Sequence, residues 1–161
     1  MSTILRPATA TVNTQEAIDF LQQHPDIEAI DLLITDIHGI TRGKRIERNS
    51  LVAAYTDGAA IPASLFSLDI TGKTVEEAGL GLYIGEPDRT CWPEPHQLKI
   101  TSWQRRPMAQ TLMSMYENDG TPFFADPRHV LTSVLNRFKE MKLTPVVAVE
   151  LEFYLLDMKR D

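Results

Sequence analysis

One stretch limits what this chain can fold into more than any other. It runs from Pro145 to Asp157, and nine of the eleven residues from Val146 to Leu156 are apolar, the other two being Glu150 and Glu152. That is the composition of a strand buried on both faces. Side chains alternate along a strand, so Val146, Ala148, Glu150, Glu152, Tyr154 and Leu156 share one face and Val147, Val149, Leu151, Phe153 and Leu155 the other. The two glutamates are then neighbours about 7 Å apart, at two strand rises. A carboxylate in apolar surroundings takes up a proton or finds a cation. Two readings stand at this point. A pair of divalent ions, Mg²⁺ or Mn²⁺, satisfies both glutamates, since hard cations prefer oxygen. Alternatively, a half-exposed strand turns them to water or to Lys and Arg.

Composition narrows the class. A chain of 161 residues holds one domain with a core, or one domain and part of a second. Its 43% apolar and 24% charged residues are those of a globular protein. A net charge of −6, with no basic stripe carrying interleaved aromatics, argues against a nucleic-acid partner. No run approaches the roughly 18 apolar residues of a membrane span, and Met1 to Pro7 lacks the apolar core of a signal peptide. A single cysteine, Cys91, permits no intramolecular disulfide and fits a reducing, cytoplasmic setting.

Taken in order, residues 1–12 read as a flexible arm. Asn13 and Glu16 make a capping-box-like start to a helix over about 14–23, which Pro25 stops. Residues 29–35 and 40–46 flank Asp36-Ile37-His38-Gly39 and read as a β-hairpin. Asp36 and His38 read as a turn aspartate with a solvated histidine, or as ligands. Arg42, Lys44 and Arg45 fit an anion grip and a solvated hairpin end equally. A short helix over about 50–55 ends at Asp57-Gly58, and a strand is expected over 63–70. Gly72, Gly79, Gly81 and Gly85 mark a mobile loop with no dinucleotide or P-loop fingerprint. Further strands are expected near Cys91, over 97–103 and over 108–116, the last two a hairpin about Arg105-Arg106-Pro107. The result is α+β, with a mixed or antiparallel sheet. Asp126-Pro127 then opens a helix over about 127–142, with Val130, Leu131, Val134, Leu135, Phe138 and Met141 on one face. It leads into the two-glutamate strand, after which nothing remains to pair with that strand. The chain therefore reads as cut off just inside a second domain.

Three segments stand out: Asp36-Ile37-His38-Gly39-Ile40-Thr41-Arg42-Gly43-Lys44, Gly85-Glu86-Pro87-Asp88-Arg89-Thr90 and Val147-Ala148-Val149-Glu150-Leu151-Glu152-Phe153. Together they resemble the glutamine synthetase family, on its γ-glutamylpolyamine side. The resemblance implies a β-grasp N-terminal domain over 13–120, followed over 121–161 by the first helix and strand of an incomplete catalytic domain. It also implies an ATP-dependent ligase that phosphorylates glutamate and lets ammonia or an amine displace the phosphate. Glu150 and Glu152 correspond to the family's Glu-x-Glu metal ligands, one for each of two Mg²⁺ or Mn²⁺ ions. The site implied lies between subunits of a homo-oligomeric ring, and the segment with Phe66 and Asp69 corresponds to the part that reaches across.

This chain departs from the ammonia-using pattern Phe-Asp-Gly-Ser-Ser. It reads Phe66-Ser67-Leu68-Asp69-Ile70, so Ser67 stands where the aspartate would be. Asp69, two residues on and on the same expected strand face, is the candidate catalytic substitute in a neighbouring subunit. The change favours an amine acceptor over ammonia. With only two metal-binding carboxylates, the chain alone is expected to be inactive. A non-catalytic β-grasp assembly or binding module is the alternative, and a non-productive fragment with a sticky last strand is a third.

Overall fold

The computed structural model describes residues 13–156. The arm expected over 1–12 lies outside them, as does Asp157, the far boundary of the expected last strand.

Helix α1 (Thr14–Gln23) forms where its pattern places it. The Asn13 side chain accepts from the Gln15 amide at 3.0 Å, capping the first turn. The capping box is only half built, because the Glu16 carboxylate accepts instead from the His96 amide at 3.2 Å. At the other end Arg48 donates to the carbonyls of Leu21, His24 and Ile27 at 2.5, 2.8 and 3.3 Å. It thereby satisfies oxygens that the helix end leaves unpaired and sets a cation at the negative end of the dipole.

The expected hairpin is β1 (Ala29–Thr35) against β2 (Thr41–Glu47). Helix α2 (Leu51–Asp57) follows, closed by Gly58 at φ 76°. The next strand corrects the sequence reading: β3 is Ala59–Pro62, and residues 63–67 coil into a 3-10 turn rather than beginning a strand. Five consecutive residues, Ala63 to Ser67, are buried there, which a strand with one wet face does not allow. The Ser67 hydroxyl donates back to the Ser64 carbonyl at 2.9 Å, a local bond that competes with a ladder. Phe66 stacks on Phe123 at 5.7 Å between centroids.

Strands β4 (Asp88–Pro93), β5 (Lys99–Ile100) and β6 (Met108–Tyr116) complete one mixed sheet of order β2-β1-β6-β4-β3, with β5 also on β6. The hairpin around Arg105-Arg106-Pro107 is present but short, with only two residues on its first arm. Strand β6 runs parallel to β1 through Leu112 and antiparallel to β4 from Met113 onward. Ala17, Leu51, Ala54 and Tyr55 from α1 and α2 share one core with Ile30, Leu32, Ile34, Met113 and Met115 from the sheet. Cys91 is buried in that core, and burial pushes its thiol well above the ordinary range, so it packs and does not react. Among the described residues, no helix is long and apolar enough to cross a membrane.

Past Leu112, β1 no longer accompanies β6, and Met115 turns its backbone toward the chain that follows. Its N–H donates to Asp126 Oδ2 at 2.8 Å, and its carbonyl accepts from the Phe123 amide at 3.1 Å and bonds His129 Nε2 at 2.8 Å. Asp126 Oδ1 caps helix α3 (Pro127–Glu140) by accepting from the Arg128 amide at 2.9 Å. The Asp-Pro start is as the sequence predicts. The apolar face of α3 is largely uncovered among the described residues: Val130, Leu131, Val134, Leu135 and Met141 are exposed, and Phe138 is half-buried.

The strand expected over 146–156 does not form. From Leu143 to Leu156 the chain has no regular structure and every residue is exposed. A strand apolar on both faces needs a two-sided apolar slot and ladder partners. The open edges of the sheet are β2, which carries Arg42, Lys44 and Arg45, the four-residue β3 and the two-residue β5. None offers such a slot. An uncovered apolar run of this kind templates association. The chain is expected to self-associate as its concentration rises, and one ending at Thr144 to do so far less. Light scattering across a concentration series checks this, and equal association of both would show that the run is not the adhesive.

Candidate functional site

The hairpin tip between β1 and β2 holds a cluster that sequence reasoning undervalued. Asp36, expected as a turn residue at the surface, is buried. Its Oδ1 accepts from the amides of His38 and Ile40, both at 2.9 Å, and its Oδ2 from Arg42 Nε at 2.7 Å. Burial alone pushes this carboxyl up. The Arg42 guanidinium and the two amides outweigh it and hold the group below the usual carboxylate range. The signal was present as an Asp and an Arg six residues apart around a tight turn: Ile40 faces Asp36, and Arg42, two residues further along, reaches back to it diagonally. Arg42 is thus committed to Asp36, and Arg45 to Asp31 at 2.7 and 3.0 Å. Lys44 Nζ donates to the Ala60 carbonyl at 2.5 Å. The anion grip is not assembled, since each cation already has a partner.

His38 is not simply solvated. Its Nε2 lies 3.0 Å from the carbonyl of Leu68, thirty residues on. That contact joins the hairpin tip to the turn carrying Asp69.

Asp69 and Ser67 do not share a strand face. Ser67 is buried in its 3-10 turn, and Asp69 sits partly exposed at the start of a tight turn. Asp69 Oδ1 accepts from the Thr71 amide at 2.8 Å, the Thr71 hydroxyl at 2.7 Å and the Lys73 amide at 2.9 Å. The Thr71 hydroxyl leads the bonds that hold the carboxyl below its ordinary value. Asp119 makes the same two bonds to Thr121 at 2.9 and 2.7 Å, so the turn geometry by itself does not mark a catalytic residue. A carboxyl so held stays charged and is a weak base, suited to holding a cation more than to taking its proton.

Glu150 and Glu152 lie in the unpaired segment, exposed. Among the described residues no three metal-capable side chains form a group. The two offer only carboxylate oxygens, the donor type that Mg²⁺ and Mn²⁺ prefer, but an Mg²⁺ shell takes about six ligands. They fit as part of a ligand set and not as all of it. Among the described residues, no hydrogen bond or ion pair joins them to Asp69. The chain does not bring its candidate residues into one site.

Residues 124–161 match the family model described as glutamine synthetase, catalytic domain. The chain is 46% identical over 148 residues to γ-glutamylputrescine synthetase PuuA of Escherichia coli K12, covering 92% of this chain and 31% of that protein. It is 30% identical over 141 residues to glutamate–isopropylamine ligase of a Pseudomonas species, covering 86% of this chain and 30% of that one. A solved glutamine synthase homologue superposes with a TM-score of 0.62 at 22% identity, over 71% of this chain and 27% of its own. This likeness carries the fold alone. The chain spans about a third of the length of the curated relatives it matches. Alignment over nearly all of its length places this chain in the glutamine synthetase family.

Proposed function

We propose that this chain is the N-terminal portion of an ATP-dependent glutamate–amine ligase. The single observation that carries the reading is the 46% identity to γ-glutamylputrescine synthetase over 92% of the chain. The domain reading is that 13–120 form a β-grasp unit and 121–161 begin the catalytic domain. The sheet order β2-β1-β6-β4-β3, with β1 and β6 parallel, supports the first part. The family match over 124–161 supports the second.

In such a reaction an oxygen of the glutamate side-chain carboxylate bonds to the γ-phosphorus of ATP as the β,γ-bridging P–O bond breaks. The amine gives up one proton of its ammonium form to water, its freed lone pair attacks the carbonyl carbon, the C–O bond to phosphate breaks, and the second proton leaves the nitrogen with the departing phosphate. Glu150 and Glu152 would each hold one divalent ion, Mg²⁺ or Mn²⁺, which when bound offsets phosphate charge. Asp69 of one copy would face the acceptor site of the next copy in a ring, its carboxylate drawing in the ammonium form of the amine. Ser67, neutral and buried, supplies no charge at the position where ammonia-using enzymes carry an aspartate, which favours an amine over ammonia. The setting would be the cytoplasm.

The test is a phosphate-release assay with ATP, glutamate, Mn²⁺ and putrescine or ammonia. It compares the 161-residue chain with the same chain extended by the remaining length of γ-glutamylputrescine synthetase, the part of that relative it does not span. The expected result is activity only in the extended protein, with putrescine preferred. Turnover by the 161-residue chain at the rate of a full-length relative would overturn the reading. The uncovered face of α3 favours the alternative of a non-catalytic assembly module. That reading gains if the chain binds a full-length synthetase but no Mn²⁺.

A further inference from the structure

The turn carrying Asp69 is closed on itself. Val75 N–H donates to the Ser67 carbonyl at 2.8 Å, Asp69 N–H to Lys73 at 2.8 Å and Gly72 N–H to Asp69 at 2.9 Å, while Leu68 and Thr74 form an antiparallel bridge. Its root is fixed, since Leu65, Phe66 and Ser67 are buried. Above that root it is a small two-stranded flap, free to pivot as a unit unless something holds it from the side.

We infer that His38 is that holder: its ring fixes the Leu68 carbonyl and so sets where Asp69 is presented. A carbonyl oxygen only accepts, so Nε2 must carry the hydrogen and donate to it, across 3.0 Å. The ring is in turn placed by a fixed frame. The His38 amide donates to Asp36 Oδ1, and the Asp36 carboxylate is buried and gripped by Arg42 at 2.7 Å. The same Arg42 runs beside the flap, its Nη1 3.9 Å from where a Cβ on Gly72 would lie. The line Arg42, Asp36, His38, Leu68 leads from the second strand to the residue before Asp69. His38 touches no reacting atom in this account. It is a positioning residue, and the consequence for the reaction rests on the role proposed above for Asp69.

Two variants test the link. His38→Phe keeps a ring and removes the donor; His38→Gln keeps a donor near the position of Nε2. His38 is exposed, so both should fold, which the amides of β1 and β2 report directly. Hydrogen exchange in the 161-residue chain is expected to quicken about 5-fold at the Asp69 and Lys73 amides in His38→Phe, the loss of one ordinary hydrogen bond, and to return most of the way in His38→Gln. Exchange unchanged in His38→Phe overturns the inference. In the extended protein, His38→Phe is expected to raise the KM for putrescine about 5-fold while leaving the KM values for ATP and glutamate alone, again with rescue by Gln. Quickened exchange with an unmoved putrescine KM keeps the mechanical link and overturns the acceptor role of Asp69.

Discussion

A Gly43→Ala chain is expected to lose the pairing of β1 with β2, and a large part of its stability with it. Gly43 sits in β2 opposite Leu33 at φ 156°, a backbone conformation that residues with a side chain rarely adopt. An added Cβ would stand 1.8 Å from the Leu32 carbonyl oxygen, 2.9 Å from its carbon and 3.2 Å from Leu33 Cα. These are backbone atoms of β1, which β6 holds from its other side, so they cannot yield as a side chain would. Relief requires β2 to lift away, which breaks the ladder around Gly43 and pulls Arg42 off Asp36. The cost is at least about 4 kcal/mol, against a typical domain stability of about 5–15 kcal/mol. A urea titration followed by circular dichroism should show the unfolding midpoint lowered by about 2 M, or the protein should be recovered insoluble. Gly39→Ala is the control. Gly39 is also left-handed, at φ 77°, but a Cβ there meets nothing within 4 Å, so about 1–2 kcal/mol of backbone strain is all it adds. A Gly43→Ala chain as stable as that control would mean the β1–β2 approach is looser than described.

Asp126→Ala is expected to release α3 from β6 while leaving the sheet standing. The side chain does two jobs at once: it caps the helix at Arg128 and satisfies the Met115 amide inside the protein. Losing the cap costs about 1 kcal/mol. Leaving a buried amide without an acceptor adds about 1–3 kcal/mol. Burial pushes the Asp126 carboxyl up, so its removal recovers part of a desolvation cost, and about 2–3 kcal/mol is the net expectation. Hydrogen exchange separates this from global destabilisation, because the amides of α3 should quicken strongly and those of β1 hardly at all. Asp126→Asn should not restore the wild type fully, since only one of its two side-chain atoms can accept. Equal quickening in β1 and α3 would show that the helix and sheet open together, against the docking described.

What was readable in the sequence is what local chemistry decides. Asn13 ahead of an apolar stripe, the Asp-to-Gly turn between two aliphatic runs, and Asp126-Pro127 each act over a few residues, and the structure has α1, the β1–β2 hairpin and α3 there. The errors lie where distant partners decide. Residues 63–67 look like a strand by composition, but Phe123 and the core pull them into a coil that buries all five. Residues 146–156 have every local mark of a strand, and nothing among the described residues pairs with them. The same division runs through the candidate site. Asp69 stands out by its place in a motif, and its work as a turn cap is legible in Asp69-Ile70-Thr71-Gly72. That His38 reaches Leu68 depends on two loops thirty residues apart meeting. No spacing rule encodes that.

Strand β6 lies at the centre of the sheet, yet it is the last of the six to be made. Between the end of β1 and the start of β6 the ribosome adds seventy-odd residues, which at ordinary synthesis rates takes roughly 4–15 s. Through that interval β1 has only its hairpin partner, and β3 and β4 have nothing to join them to it. The nascent chain must therefore hold half a sheet open until its keystone arrives, which makes this window the one in which a chaperone would find it.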